Sequence, residues 1–179
     1  RLDTADINGD GSLDVVAGNT GSATLSLFLG NGDGTLQAAT PLNIGGTNII
    51  NPVLADVDED GNIDLVVAHR GLNRIQFHKG NGDGTFADPV NFATAAAPDD
   101  LILADLHGDD NLDAVAAVFQ SGVSVLLGDG AGGFSDHVEY AVSGNPRDLA
   151  AADFNQDDAL DLVVPFSDGN FDFVAVLFG

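Results

Sequence analysis

The sequence contains no cysteine, no methionine and no tryptophan, and it has few basic residues. Without cysteine the protein has no disulfides, no thiolate metal sites and no cysteine nucleophile. Only 5 lysines and arginines stand against 28 acidic residues, and the formal net charge of -23 argues against binding to nucleic acid or to an anionic membrane surface. No apolar run approaches the roughly 20 residues of a membrane-spanning helix, so we expect no membrane insertion.

The short motifs of common enzymes are also missing. The chain has no G-x-S-x-G, G-x-x-x-x-G-K-[ST] or H-E-x-x-H pattern. Residues 128–133 match G-x-G-x-x-G, but they stand between two predicted strands and open no helix, which excludes a dinucleotide site. The four histidines (His69, His78, His107 and His137) lie at different phases of the repeat described next, so no histidine cluster is predicted. We therefore predict no catalytic residues and a non-enzymatic function.

Aspartate and glycine are abundant, and they lie in an internal repeat. Four nine-residue segments begin at residues 6, 56, 105 and 153, and they read DINGDGSLD, DVDEDGNID, DLHGDDNLD and DFNQDDALD. We call them loops one to four. A second motif keeps the same period at residues 30–36, 80–86 and 128–134 (GNGDGTL, GNGDGTF and GDGAGGF). Two motifs that hold phase over the whole chain establish a repeat of about 49 residues.

The segments between these motifs read as short strands. Apolar runs at 13–17, 63–68, 112–118 and 160–164 predict strands buried on both faces. Alternating apolar residues predict half-buried strands at Leu25, Leu27 and Leu29, at Val123, Val125 and Leu127, and at Val174, Val176 and Phe178. Further strands are predicted before each aspartate loop (Leu2–Ala5, Ile49–Ala55, 101–104 and 149–152) and after the glycine turns, for example at 86–95.

Four strands in each repeat predict an all-β protein built from β-propeller blades, because a single four-stranded sheet cannot cover its own faces. A β-sandwich would also be all-β, but it would not need a loop that recurs in phase. The approximate blades of this single domain are 1–47, 48–97, 98–145 and 146–179. The chain begins on a first strand and ends on a third, so we expect three complete blades and a partial fourth.

The paired motifs, such as DINGDGSLDVVAG with LFLGNGDGTLQ, resemble the FG-GAP/VCBS repeat family along essentially the whole chain. The resemblance implies blades like those of integrin α-subunit heads, commonly seven to a ring, with a calcium loop between the first and second strands of each blade. It implies little about activity, because the family includes adhesion modules, lectins and accessory domains of enzymes. Further blades are expected from outside this sequence, the favoured interpretation, or from another chain.

In such a loop the side chains at positions one, three, five and nine and the carbonyl of position seven converge on one cation. Ca²⁺ accepts six to eight oxygen ligands in a tolerant geometry, and glycine at position six allows the sharp turn. The predicted ligands are Asp6, Asn8, Asp10, Ser12 and Asp14 in loop one; Asp56, Asp58, Asp60, Asn62 and Asp64 in loop two; Asp105, Asp109, Asn111 and Asp113 in loop three; and Asp153, Asn155, Asp157, Ala159 and Asp161 in loop four.

Loops three and four depart from the pattern. Loop four has Asp158 at position six, where aspartate tolerates left-handed geometry better than most residues. Loop three has Asp110 at position six and His107 at position three, and imidazole is a poor ligand for a hard cation. Up to four Ca²⁺ ions are therefore predicted, with loop three open to a second interpretation in which hydrogen bonds close it without metal. Asp33, Asp83 and Asp129 are interpreted as hairpin-turn residues, with Leu36, Phe86 and Phe134 anchoring those turns between blades.

A ligand face is predicted at the end of the blades opposite the aspartate loops. The loops there differ between blades, and they carry or adjoin Arg70, Arg74 and Arg147 (residues 19–22, 69–74, 119–122, 167–171, 45–48, 97–100 and 144–147). Ordinary solvated loops remain an alternative interpretation. The leading hypothesis is a non-catalytic, calcium-stabilised module of an extracellular or cell-surface protein that acts in adhesion or glycan recognition, with a protein or glycan ligand. The alternatives are a propeller domain of a larger secreted enzyme and a structural repeat of a surface appendage.

Overall fold

The computed structural model describes residues 1–19, 21–46 and 48–179, and it is built from four antiparallel sheets. The first contains β1 (Leu2–Ala5), β2 (Asp14–Gly18), β3 (Thr24–Phe28) and β4 (Thr40–Asn43). The second contains β5 (Ile49–Ala55), β6 (Asp64–His69), β7 (Arg74–His78) and β8 (Val90–Ala93). The third contains β9 (Pro98–Ala104), β10 (Asp113–Val118), β11 (Gly122–Leu126) and β12 (Val138–Ala141). The fourth contains β13 (Asn145–Pro146), β14 (Ala150–Ala152), β15 (Asp161–Ser167) and β16 (Asp172–Leu177).

The strands of the first three sheets pair in chain order, as the blades of a propeller do. In the fourth sheet β13 and β14 both pair with one edge of β15, and β16 pairs with its other edge, so this sheet has three strand positions. The inner strand β5 lies between β1 and β9. The all-β propeller architecture, with three complete blades and a partial fourth, is confirmed.

Three apolar clusters fill the spaces between neighbouring sheets. The first joins residues of sheets one and two, such as Leu25 and Leu65. The second joins sheets two and three, and the third joins sheets three and four. Every residue of β6 and β10 is buried, because each of these strands has a packed sheet on both faces. That prediction is confirmed for the two middle blades, whereas β2 and β15 are only partly buried.

Two strands differ from the half-buried pattern that was predicted. All five residues of β11 are buried, because the third sheet is covered on both faces by its neighbours. In β16 the residues predicted as the apolar face, Val174 and Val176, are 62% and 41% exposed. Ala175 and Leu177, on the other face of that strand, pack on the third cluster. The corresponding residues of β3 are buried because the second sheet covers them.

The connections between strands lie at two opposite ends of the sheets. Each aspartate loop joins the inner strand of a blade to the next strand, and the glycine turns that follow β3, β7 and β11 leave by the same end. The connection from β6 to β7 leaves by the opposite end through a short 3₁₀ turn, Arg70–Leu72. Among the residues that the structure describes, no helix is long and apolar enough to cross a membrane.

Candidate functional site

The aspartate at position nine of each loop ties that loop to the glycine turn of the same blade. All four are fully buried, and both carboxylate oxygens of each accept backbone N–H bonds. One donor is the second residue of the loop, and the other is a glycine about sixteen residues further along the chain. The donors are Ile7 and Gly30 to Asp14, Val57 and Gly80 to Asp64, Leu106 and Gly128 to Asp113, and Phe154 and Gly179 to Asp161, at 2.7–3.0 Å.

The glycines in these contacts are required by close approach of the backbone. A Cβ atom built on Gly80 would lie 2.1 Å from the carbonyl oxygen of Ile63, and the equivalent glycines of the other blades meet the same obstacle. Position nine was predicted from the sequence as a metal ligand alone, and this clamp was not predicted. Its signal in the sequence is the similar spacing, 15 to 18 residues, between the last aspartate of a loop and the first glycine that follows the next two strands.

The carboxylates at positions one and five fold the loop backbone around themselves. Asp6 accepts N–H bonds from Asp10 and Gly11, and Asp10 accepts one from Ser12. The other three loops repeat both arrangements. These bonds stabilise the ionised form, and the pKa of Asp10 lies below its usual value because Asn8 and Ser12 donate to its carboxylate. Hydrogen bonds to these carboxylates therefore give each loop a closed backbone.

Position six has the left-handed conformation that the sequence predicted. Its φ angle is +85° at Gly11 and +88° at Gly61. Asp110 and Asp158 occupy the same position with φ +70°, so both substitutions keep the turn.

A nitrogen donor connects positions three and five in every loop, but its chemistry differs. In loops one and four it is the amide of Asn8 or Asn155, which donates to the aspartate two residues later at 2.9 and 2.8 Å. In loop three it is the imidazole of His107, which lies 3.0 Å from both Asp109 and Asp113. The bond to Asp113 raises the pKa of His107 above its ordinary value.

In loop two the bridging group is an ammonium that comes from outside the loop. The Nζ of Lys79 contacts Oδ2 of Asp58 and lies 2.7 Å from Oδ2 of Asp60. Hydrogen bonding to Asp58 raises the pKa of Lys79, and the same ammonium lowers the pKa of Asp60. Lys79 was not predicted as a site residue from the sequence.

The residues of loop two fit a hard cation. Carboxylate oxygens of Asp56, Asp58 and Asp64 lie within 4.8 Å of one another. The side chain of Asp58 is only 8% exposed, and its Oδ1 has no hydrogen-bond partner. A buried carboxylate oxygen without a donor is costly, and a cation would remove that cost. In loop three the group with the same spacing is Asp105, His107 and Asp109, which suits a hard cation less well.

The glycine turns have the role that was predicted for them, with one correction. Asp33 and Asp83 accept bonds from the N–H and hydroxyl of the threonine two residues later, and Asp129 accepts two backbone N–H bonds. Phe86 and Phe134 pack on the first and second clusters. Leu36 is 47% exposed, because no sheet in the described part of the chain covers that side of the first blade.

At the opposite end a cavity of about 310 Å³ with a mixed polar and apolar lining lies between the first and second blades. Arg1, Asn48, Asn51 and Arg70 line it together with apolar groups of β5. The Nε of Arg70 lies 3.0 Å from Asp99, and its guanidinium lies 5.5 Å from the ring centre of Phe119. Two residues of the predicted variable loops, Thr20 and Thr47, lie outside the described residues.

Arg74 and Arg147, the other predicted basic residues of this face, do not line the cavity. Arg74 begins β7 and pairs with Ala93, and its Nε is buried. Arg147 follows β13, where its carbonyl accepts a bond from the guanidinium of Arg1. The structure therefore brings only Arg70, of the three, to the cavity.

A family model described as an FG-GAP-like repeat matches residues 6–67 and 56–116, which together make up more than half of the sequence. The chain belongs to the FG-GAP-like repeat family. This confirms the resemblance that the paired motifs indicated. No curated protein matches the sequence.

Three solved structures share the fold of this FG-GAP-like repeat protein. A lectin of Agrocybe aegerita that recognises non-reducing terminal N-acetylglucosamine is 21% identical, with a TM-score of 0.64. The Tc holotoxin pore of Photorhabdus luminescens is 20% identical with a TM-score of 0.58, and the V. cholerae biofilm matrix protein Bap1 is 19% identical with a TM-score of 0.52. The matches cover 100%, 100% and 98% of this chain, but only 51%, 9% and 36% of those chains. At such identities the likeness concerns the fold alone.

Proposed function

We propose that this chain is a non-catalytic, calcium-stabilised binding module of an extracellular or cell-surface protein, and that it recognises a glycan or protein at the end opposite its aspartate loops. The proposal that the module binds calcium rests on loop two, where three carboxylates converge and a buried oxygen of Asp58 has no donor. Loops one and four would bind Ca²⁺ through the same positions, and loop three least readily because of His107. Calcium sites of moderate affinity are filled outside cells, which supports the proposed location.

Calcium binding is tested by melting the protein with EDTA and then with about 1 mM Ca²⁺. For a site with a Kd of about 10 μM, this concentration stabilises the fold by about 2.7 kcal/mol. We therefore expect a large rise in melting temperature with calcium, and calcium in the purified protein by elemental analysis. An unchanged melting temperature together with no bound calcium would refute this part of the proposal.

The recognition part rests on the cavity that Arg1, Asn48, Asn51 and Arg70 line. Its volume is at the lower end of the range for small-molecule sites. The side chains of Arg1 and Asn51 already bond to Asp100, so the guanidinium of Arg70 and the amide of Asn48 are the groups that can donate to sugar hydroxyls or carboxylates. Asp99 and Phe119 hold the side chain of Arg70 from two sides, so its donors are positioned before a ligand arrives. The N-acetylglucosamine lectin shares the fold, and this supports a glycan as the first ligand class to test.

A glycan array probed with the chain and with Arg70→Ala tests this site. We expect the substitution to abolish or strongly weaken any glycan signal. Lys79→Leu is the matched control, because it removes the same charge at the other end of the blades and should leave the signal intact. Equal glycan binding by all three proteins would place recognition elsewhere.

The lengths of the similar structures favour a second candidate in which this chain is one part of a larger secreted protein, including one with an enzymatic domain. The chain corresponds to between 9% and 51% of the three chains described above. In that case the module would hold or position other domains, and an activity of the whole protein would survive loss of this module's ligand binding.

A further inference from the structure

Lys79 occupies a place in the repeat that is apolar in every other blade. It precedes the first glycine of its turn, where the other blades have Leu29, Leu127 and Phe178. Loop two is also the only loop with aspartate at position three, where the others have Asn8, His107 and Asn155. The additional carboxylate and the lysine thus occur in the same blade, and the structure brings them into contact.

The ammonium of Lys79 bridges two of the four side chains that would bind the cation in loop two. It contacts Oδ2 of Asp58 and lies 2.7 Å from Oδ2 of Asp60, which are positions three and five. The other oxygen of Asp58, Oδ1, is buried and has no donor. A carboxylate oxygen of Asp58 also lies within 4.8 Å of oxygens of Asp56 and Asp64. Loop two therefore has a buried oxygen that a metal cation could satisfy. The ammonium of Lys79, which is itself a cation, lies on the other oxygen of the same carboxylate.

We propose that Lys79 is a built-in competitor of calcium in loop two, so that calcium enters fully only when the ammonium leaves Asp58 and Asp60. This inference rests on the calcium binding proposed above. It reverses the order of affinities that ligand charge alone suggests, because loop two has the most carboxylates of the four loops and two of them contact Lys79. We therefore expect loop two to bind calcium more weakly than loop one, where the neutral amide of Asn8 connects positions three and five.

Displacement of Lys79 by calcium would also affect the glycine turn that follows β7. Lys79 accepts a backbone bond from Ala87 across that turn, and the next residue, Gly80, donates to Asp64 of the loop. Calcium in loop two would therefore change the surroundings of residues 79–87 as well as those of the loop. In loop one the same place holds Leu29, which has no charge to displace.

The expected effect of the ammonium on calcium affinity is on the order of tenfold. With the screening of bulk water, a unit charge at about 5 Å from a divalent ion repels it by an amount that corresponds to roughly this factor. Lys79→Leu removes the charge and introduces the residue of the first and third blades, so the turn should still form. Lys79→Arg keeps the charge and is the matched control.

Calcium titration of the ¹⁵N-labelled chain, followed by NMR, resolves the loops individually. The amides of Gly61 and Gly11 report on loops two and one, because each lies at position six of its loop. In the parent chain we expect Gly61 to respond at a higher calcium concentration than Gly11. In Lys79→Leu the midpoint of Gly61 should fall about tenfold while that of Gly11 stays unchanged, and Lys79→Arg should behave like the parent.

Two outcomes would overturn the inference in different ways. If Gly11 titrates and the midpoint of Gly61 is the same in the parent and in Lys79→Leu, Lys79 does not compete and the calcium proposal survives. If neither amide responds to calcium in any of the three proteins, the calcium proposal itself fails and the role of Lys79 fails with it.

Discussion

Replacing Asp64 by asparagine tests whether the position-nine aspartates hold the fold together without metal. Asp64 is fully buried, and its two oxygens accept N–H bonds from Val57 at 2.9 Å and Gly80 at 2.7 Å. An asparagine side chain keeps one acceptor but turns an NH₂ group toward the other N–H. One backbone donor then loses its partner in the interior, which costs about 1–3 kcal/mol.

The expected loss of folding free energy comes from that unpaired backbone donor and not from removal of the negative charge of Asp64. Burial raises the pKa of Asp64 even though two N–H groups donate to it, so its negative charge does not add to the stability of the folded state. We therefore expect Asp64→Asn to lose about 2 kcal/mol, or roughly 4–8 °C in melting temperature for a chain of this size. The loss should be present in EDTA.

Thermal melting in EDTA and in calcium is the assay, with Asp60→Asn as the control. Asp60 is at position five, 30% exposed, and its carboxylate accepts a single backbone bond from Asn62 at 2.8 Å besides its contact with Lys79. In EDTA the control should lose less than Asp64→Asn, because water can reach its side chain. A loss for Asp64→Asn that appears only in calcium would refute the clamp and leave Asp64 as a metal ligand alone.

Two further predictions concern the stability of the fold, one through backbone strain at Asp158 and one through the buried His69. Asp158→Gly should raise the melting temperature in EDTA by an amount equivalent to about 0.5–1 kcal/mol, because φ at this residue is +70° and glycine adopts that conformation without cost; a lower melting temperature would contradict this reasoning. His69 is fully buried and its pKa is lowered to about 4 from 6.5, mainly by burial. Between these values the unfolded chain binds a proton that the folded chain does not, so stability should be complete above pH 6.5 and fall by up to about 3 kcal/mol as the pH approaches 4. Melting curves across this range should show a weaker dependence in His69→Gln, and an identical dependence would contradict the assignment.

Periodicity in the sequence was sufficient to predict the strands and their grouping. β1 and β5 have the predicted bounds, and the other strands lie at or within a few residues of the predicted runs. The prediction succeeds because alternation and apolar runs depend on local spacing, and because the same pattern occurs several times along the chain. It fails for the exposed face of β16, since exposure depends on which sheet covers the strand and not on the strand's own residues.

The candidate site was predicted in part. The aspartates at positions one and five form the closed loops that their spacing suggested. The clamp at position nine could not be predicted from the loop alone, because it needs a glycine N–H from a turn two strands away. Lys79 was missed for the same reason, although comparison of equivalent positions between blades would have found a charged residue where leucine recurs.

The sharing of each apolar cluster by two sheets has a consequence for how the chain unfolds. Every sheet is stabilised by its immediate neighbours, so the array behaves as a row of units coupled in pairs. The second and third sheets each contribute to two clusters, and their strands β6 and β10 are buried throughout. Their amides should therefore exchange with solvent most slowly, and opening should proceed inward from the first and fourth sheets. A blade added beyond β16 would slow exchange in the fourth sheet before any other.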